Sequence, residues 1–352
     1  MISVERIEAG EELPHALVLE WDRLARECEA PPFVQSGWIA AWRRSFGSGA
    51  LEILTLRRDR RLRGLLPMER RSGSLSSPTN AHTPHFGAVT ESPADAKALM
   101  RTVIERSRAS ICLEHLADDP SGLTALSGAT REAGAHLSTR VLGRSPYVDT
   151  HRELSAYEAS LDAKLLREVR RRRRRLESQG PVQLEVSDGQ GRLDELLDEG
   201  LLIEGAAWKA AEGTAIASHE ATLSFYRSVA RWAAEEGTLR LAFLRVGGRP
   251  LAFDLCLEQN GSHYLLKTGF DPGARPLAPG IMIRWEMIAR AFTEGLASYE
   301  FLGKDDAWKL RWTAATRARI AARVFSPSIP GSASRLWWTR ARPRARRVLR
   351  RA

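Results

Sequence analysis

Cysteine is scarce in this chain. Its 352 residues hold three, Cys28, Cys112 and Cys256, too far apart to give a disulfide framework or metal-ligand spacing. Long apolar runs are lacking as well: none approaches the ~20 residues needed to span a bilayer. The opening MISVERIEAG has neither a basic n-region nor an apolar h-region. Export is therefore not expected, and the cytoplasm is the expected compartment. No serine sits in a Gly-x-Ser-x-Gly elbow, so serine-hydrolase chemistry has no support. His82 and His85 flank Pro84 without a third ligand nearby, so no metal is expected.

Acid is in shorter supply than base, with 43 Asp and Glu against 53 Lys and Arg and a net charge of +10. Location decides what this means. Residues 164–175 carry +7 and residues 335–352 carry +8, which leaves everything else at −5. A mildly acidic body with two basic segments argues against a broad nucleic-acid-binding face. The segment KLLREVRRRRRRLE has Val169 and Leu176 on a buried side and reads first as a solvated helix surface. The tail RLWWTRARPRARRVLRRA reads either as a solvated end or as a segment that adheres to an anionic membrane.

What is present is enough for burial: 43% of the residues are hydrophobic, and the length fits two domains. The divisions expected are 1–150, 151–328 and a basic Trp/Arg-rich tail at 329–352. In the first half strands are expected near 2–8, 51–56, 62–68, 111–116 and 137–149. Helices are expected near 15–28, 36–46 with Ser36 as N-cap, 94–108 and 121–134. The polar, turn-rich stretch 72–87 reads as a loop. The second half opens with helices near 153–162 and 163–178 and a strand at 181–186. Helices near 192–211 and 219–236 follow.

Residues 239–303 are the most informative stretch. Apolar runs at 239–246, 249–258 and 263–270 are separated by Gly247-Gly248 and Asn260-Gly261, two signals for tight hairpins needing φ > 0. From Gly280 the period becomes helical, with Ile281, Trp285, Ile288, Ala289 and Phe292 on one face and Gly295 closing the run. Pro279 is tolerated at a helix start because no hydrogen-bond donor is lost there. A loop feeding a helix N-terminus is a natural anion site. Strands are expected again at 298–302 and 316–325.

Arg275-Pro-Leu-Ala-Pro-Gly280 resembles the acyl-CoA diphosphate loop of GNAT-fold acyltransferases, with pattern Arg/Gln-x-x-Gly-x-Gly/Ala. Ala278 stands where the first Gly is expected, and Pro279 removes one N–H. FVQSGWIAAWRRSFG (33–47), the arginine run, AAWKAAEGTA (206–215), LKTGFDPG (266–273) and FLGKDDAWKLRW (301–312) extend the resemblance. Together they are similar to the CelD-like acetyltransferases of cellulose and exopolysaccharide biosynthesis, themselves similar to Fem-type transferases. The resemblance implies a mixed α/β, tandem GNAT-like fold of two halves, each with a mostly antiparallel central sheet flanked by helices. The first half would be degenerate, since it has no such glycine loop.

The function implied is acyl transfer, acetyl above all, from acetyl-CoA or another acyl-CoA to an amine or hydroxyl of a sugar, polysaccharide or cell-envelope precursor. Arg275, Ala278, Gly280 and Ile281 would hold the cofactor. Trp208, Lys209 and Lys309 would border a small-molecule or glycan acceptor, although Trp208 suits a core and Lys309 a solvated loop equally well. Counting back from the Asn260-Gly261 turn puts Asp254 opposite Lys267 on one sheet face. That pair is either a plain cross-strand ion pair or a general base held ionised by its neighbour. Two rival readings stand beside this one. In one the chain is a Fem-like transferase fed by aminoacyl-tRNA. In the other it is a non-catalytic scaffold at an anionic inner-membrane surface, docked through residues 335–352.

Overall fold

A computed structural model describes residues 1–8, 12–71, 74–107, 110–206 and 216–327. The chain opens with β1 (Ile2–Ile7), α1 (His15–Glu27) and α2 (Ser36–Phe46). Then come β2 (Ala50–Arg58), β3 (Arg61–Arg71), the short β4 (Ser74–Ser76) and β5 (Val89–Thr90), α3 (Pro93–Arg106), β6 (Ser110–Leu116) and α4 (Leu123–Glu132). After β7 (His136–Asp149) follow α5 (Leu154–Ser160), α6 (Ala163–Glu177), β8 (Val182–Ser187), α7 (Leu193–Gly205) and α8 (Glu220–Glu235). The meander is β9 (Leu239–Val246), β10 (Arg249–Gln259) and β11 (Ser262–Phe270), followed by α9 (Pro279–Thr293). Strand β12 (Ser298–Glu300), helix α10 (Ala307–Leu310) and strand β13 (Thr316–Phe325) complete the described chain. It forms two compact units, residues 144–317 and residues 1–143 with the chain from Ala318 onward.

In the first unit the sheet order is β1-β2-β3-β4-β6-β13, antiparallel except for β4 against β6, with β5 on β3. The β2–β3 link turns at Asp59 and Arg60, both left-handed, so polar residues make a tight turn without glycine. Helices α3 and α4 cover a core that includes Leu66, Met68, Leu99, Met100, Val103, Leu113, Leu126 and Val324. Ser36 is not the cap of α2: Gln35 holds that position, and the Ser36 hydroxyl donates to Asp22 Oδ1 at 2.6 Å. A tertiary partner outbid the local amide.

His115, at the end of β6, has φ of 60° and is buried. Burial, the Arg319 guanidinium 3.4 Å away and nearby His85 push its pKa down to about 4. An unfolded histidine titrates near 6.5, so between pH 6.5 and 4 the unfolded chain binds a proton that the folded one refuses. Stability should therefore fall as pH drops through that window. His115→Asn, which keeps a side chain tolerant of φ > 0, should lose less by up to about 3 kcal/mol. Urea titrations of both proteins at pH 7 and pH 4.5 check this; equal losses would refute it.

In the second unit the order is β7-β12-β11-β10-β9-β8, antiparallel except for β11 against β12. Both hairpins turn where the sequence indicates, with φ of 55° and 82° at Gly247 and Gly248 and 50° and 70° at Asn260 and Gly261. One sheet face packs Ala242, Leu244, Ala252, Cys256 and Leu265 against α9 and against Tyr157, Leu165 and Val169 of α5 and α6. The other face lies under α7 closely enough that Gly200 and Gly269 have no room for a Cβ. No helix of the described residues is long and apolar enough to cross a membrane.

Candidate active site

The site is built around β11, whose two edges differ. One edge pairs with β10 over its length, interrupted by a bulge that leaves Leu266 extra between Leu265 and Lys267. The other edge pairs with β12 at Ser262–Tyr264 alone. Leu302 and Gly303, with φ of 53° and 61°, turn the chain away just after β12, and Phe301 N–H bonds to Pro146 O instead. Residues 265–270 of β11 thus present a backbone edge with no β12 beside it.

Beneath that edge lies a buried ionic cluster. Arg284 of α9, 1% exposed, donates from Nη2 to Asp254 Oδ1 at 2.9 Å and to Thr268 Oγ1 at 3.2 Å, and from Nη1 to the Tyr299 hydroxyl. Its guanidinium lies within 6 Å of the ring centroids of Tyr299, Phe301 and Trp308. Burial works against the charge, but Asp254 and Tyr299 outweigh it and raise the Arg284 pKa. Next to it His263 stacks on Tyr299 with centroids 4.6 Å apart and meets Glu258 at 2.8 Å. Burial holds His263 down, towards neutral. Burial opposes the Glu258 carboxylate too, yet its bonds to His263 and Arg290 hold it well below the usual range. Burial and the Asp254 charge push the Cys256 thiol up, away from a nucleophilic thiolate.

At the far end of β11 the chain makes a 3₁₀ turn over Pro272–Leu277, capped by Asp271, whose Oδ1 accepts from Gly273 N–H at 2.8 Å. Ala278 follows with φ of 55°, and α9 begins at Pro279 with no side-chain cap. Neither φ nor packing demands glycine at position 280, where a Cβ would meet the Phe270 ring at an ordinary 3.5 Å. Two residues of the arginine run hold this corner. Arg172 donates to Pro276 O at 2.7 Å, and Arg173 pairs with Glu286 at 2.9 Å.

Several expectations change at this point. Asp254 faces Thr268, not Lys267, because the bulge shifts the register by one and so flips Lys267 to the opposite sheet face. There Lys267 sits 5.1 Å over the Tyr226 ring of α8, while Asp254 is fully buried against Arg284. Lys309 is not a solvated loop residue. It is 6% exposed, and its ammonium bonds to the carbonyls of Leu302 and Lys304 and to Asp306. Arg275, Ala278, Gly280 and Ile281 do come together at the start of α9, with Arg275 exposed and Ile281 N–H already bonded to Ala278 O at 3.1 Å. Trp208 and Lys209 lie outside the described residues. Sequence reasoning missed Arg284, although a lone arginine between Ile283 and Trp285 in an apolar helix is the natural partner for a lone acid in an apolar strand.

Residues 163–310 match the family model described as an acetyltransferase (GNAT) domain. The matched stretch takes in α6, the sheet from β8 to β12 and α9. Among solved structures FemX is similar, with a TM-score of 0.60 at 11% identity over 90% of this chain and 96% of its own. L-PGS from Bacillus licheniformis gives 0.59 at 11% identity over 94% and 98%. The C-terminal domain of a putative lysylphosphatidylglycerol synthetase from Agrobacterium fabrum gives 0.57 at 15% over 87% and 90%. At such identities the likeness is one of fold, and it extends over both units. No curated protein matches the chain by sequence.

Proposed function

We propose that the GNAT domain transfers an acyl group, acetyl in the simplest case, from acyl-CoA to an amine or hydroxyl of a sugar, polysaccharide or cell-envelope precursor, as in CelD-like enzymes. The observation that carries this reading is the stretch of β11 that β12 does not flank, residues 265–270, leading into the start of α9, which has no side-chain cap. An extended pantetheine arm carries amides that suit the backbone edge of a strand. First-turn N–H groups of α9 other than that of Ile281, the helix dipole and exposed Arg275 suit a diphosphate. Ala278 takes a left-handed conformation that glycine adopts without strain, at the position where the pattern has glycine.

Direct attack is the chemistry favoured. The acceptor nitrogen or oxygen bonds to the thioester carbonyl carbon, its proton leaves, and the C–S bond breaks to release CoA thiol. Backbone N–H groups at the bulged part of β11 are suited to stabilise the developing oxyanion. Cys256, the cysteine of this unit, is a poor candidate for an acyl-enzyme because it is buried with a raised pKa. Asp254 and Arg284 serve here as positioning residues that hold Thr268, just past the bulge, against α9.

Calorimetric titration with acetyl-CoA tests the donor. Micromolar binding is expected, weakened about 100-fold or more in Gly280→Asp, which sets a carboxylate against the diphosphate. Silence from verified folded protein would overturn the reading. Saturable binding of aminoacyl-tRNA in its place would favour the Fem-like donor.

A further inference from the structure

We propose that the outer face of α6 docks the protein onto an anionic lipid surface, an inference that stands apart from the donor reading. The helix spends its acids on few of its bases. Arg172 pairs with Glu168 and grips Pro276 O, and Arg173 pairs with Glu177 and Glu286. Arg167, Arg170, Arg171, Arg174 and Arg175 are exposed, and no carboxylate partners them among the described residues. They stand four apart as Arg167–Arg171, Arg170–Arg174 and Arg171–Arg175, a spacing at which like charges repel along a helix. Burial of Leu165, Val169 and Leu176 holds the helix together against that repulsion. Among the described residues nothing offsets that repulsion, whereas a partner of opposite charge would.

The shape favours a bilayer over a nucleic acid. The five arginines lie on the convex outside of one helix, along about 12 Å of its axis. Proteins that track single strands use grooves lined with aromatic rings for stacking. The exposed positions of α6 are charged or alanine and hold no ring. They also hold no large apolar side chain, so the contact is electrostatic adsorption at the headgroups, without insertion.

The test is co-sedimentation of the full chain with phosphatidylcholine vesicles, with and without about one third phosphatidylglycerol. Binding is expected to the anionic vesicles alone and to be lost at high salt, where the Debye length shrinks to about 3 Å. The variant Arg170→Glu/Arg171→Glu/Arg174→Glu should bind at least tenfold more weakly. The variant Lys97→Glu/Arg101→Glu/Arg131→Glu, an equal charge change in the other unit, should change binding less than twofold. The α6 variant should also melt no lower than the parent, because the pairs at 167–171 and 171–175 become attractive while the like-charge pair at 170–174 is only exchanged in sign, so its loss of binding does not come from unfolding. Unchanged vesicle binding in the α6 variant would overturn the proposal and assign any adsorption to residues 335–352. Tighter binding to duplex RNA than to anionic vesicles would overturn it too. Vesicle binding with no response to acetyl-CoA would leave the docking face standing while the donor reading falls.

Discussion

Arg284→Leu is expected to destabilise the second unit by about 3–5 kcal/mol, the usual cost of stranding one partner of a buried ion pair. Asp254 is 0% exposed, and its Oδ2 already lacks a partner, so removing Arg284 leaves the carboxylate with neither counter-charge nor water. Thr268 and Tyr299 lose a shared donor at the same time. Adding Asp254→Leu should restore most of the loss, because two apolar side chains replace the pair. Urea midpoints of the two single variants and the double variant measure this. An additive double variant would show that the pair is not coupled.

The second large effect is expected at Gly269 of β11. A Cβ there would lie 2.5 Å from Glu204 Cα and 3.0 Å from its amide nitrogen, both backbone atoms of α7. Overpacking usually costs about 1–3 kcal/mol because side chains can rotate away, and a helix backbone cannot. Gly269→Ala should therefore cost about 3 kcal/mol or more, or abolish soluble expression. Gly200→Ala offers the contrast. Its Cβ would meet the Phe253 ring at 2.3 Å, and a side chain can be shortened. In a Phe253→Leu background Gly200→Ala should become neutral or stabilising, since alanine gains up to about 1 kcal/mol of helix propensity over glycine. No comparable rescue is expected for Gly269→Ala, and full stability of that variant would mean α7 rides higher on the sheet than described here.

Local chemistry made much of this architecture legible from residues alone. Glycine and asparagine at the turns dictate φ > 0, and all four positions at the two hairpins have it. Proline at a helix start and a change of period at Gly280 place α9, which begins at Pro279. Each of these signals acts within a few residues, where sterics and hydrogen bonding are set by the local sequence.

What the tertiary structure alone decided lies at longer range. Leu266 carries no mark of a bulge, yet that one extra residue sends Lys267 to the far face and gives Asp254 to Arg284, thirty positions away. β13 returns to pair with β6, and β12 lies parallel to β11 for three residues before Leu302 and Gly303 turn it aside. Lys309 reads as solvent-facing but is drawn in by two carbonyls that the same turn exposes. The residues of α6 show an arginine run; only packing shows which of them hold α9 and the turn before it, and which five are exposed with no carboxylate partner among the described residues. Register, strand divergence and ion-pair choice are settled by competition among distant partners for one buried space, and no window of neighbouring residues contains that competition.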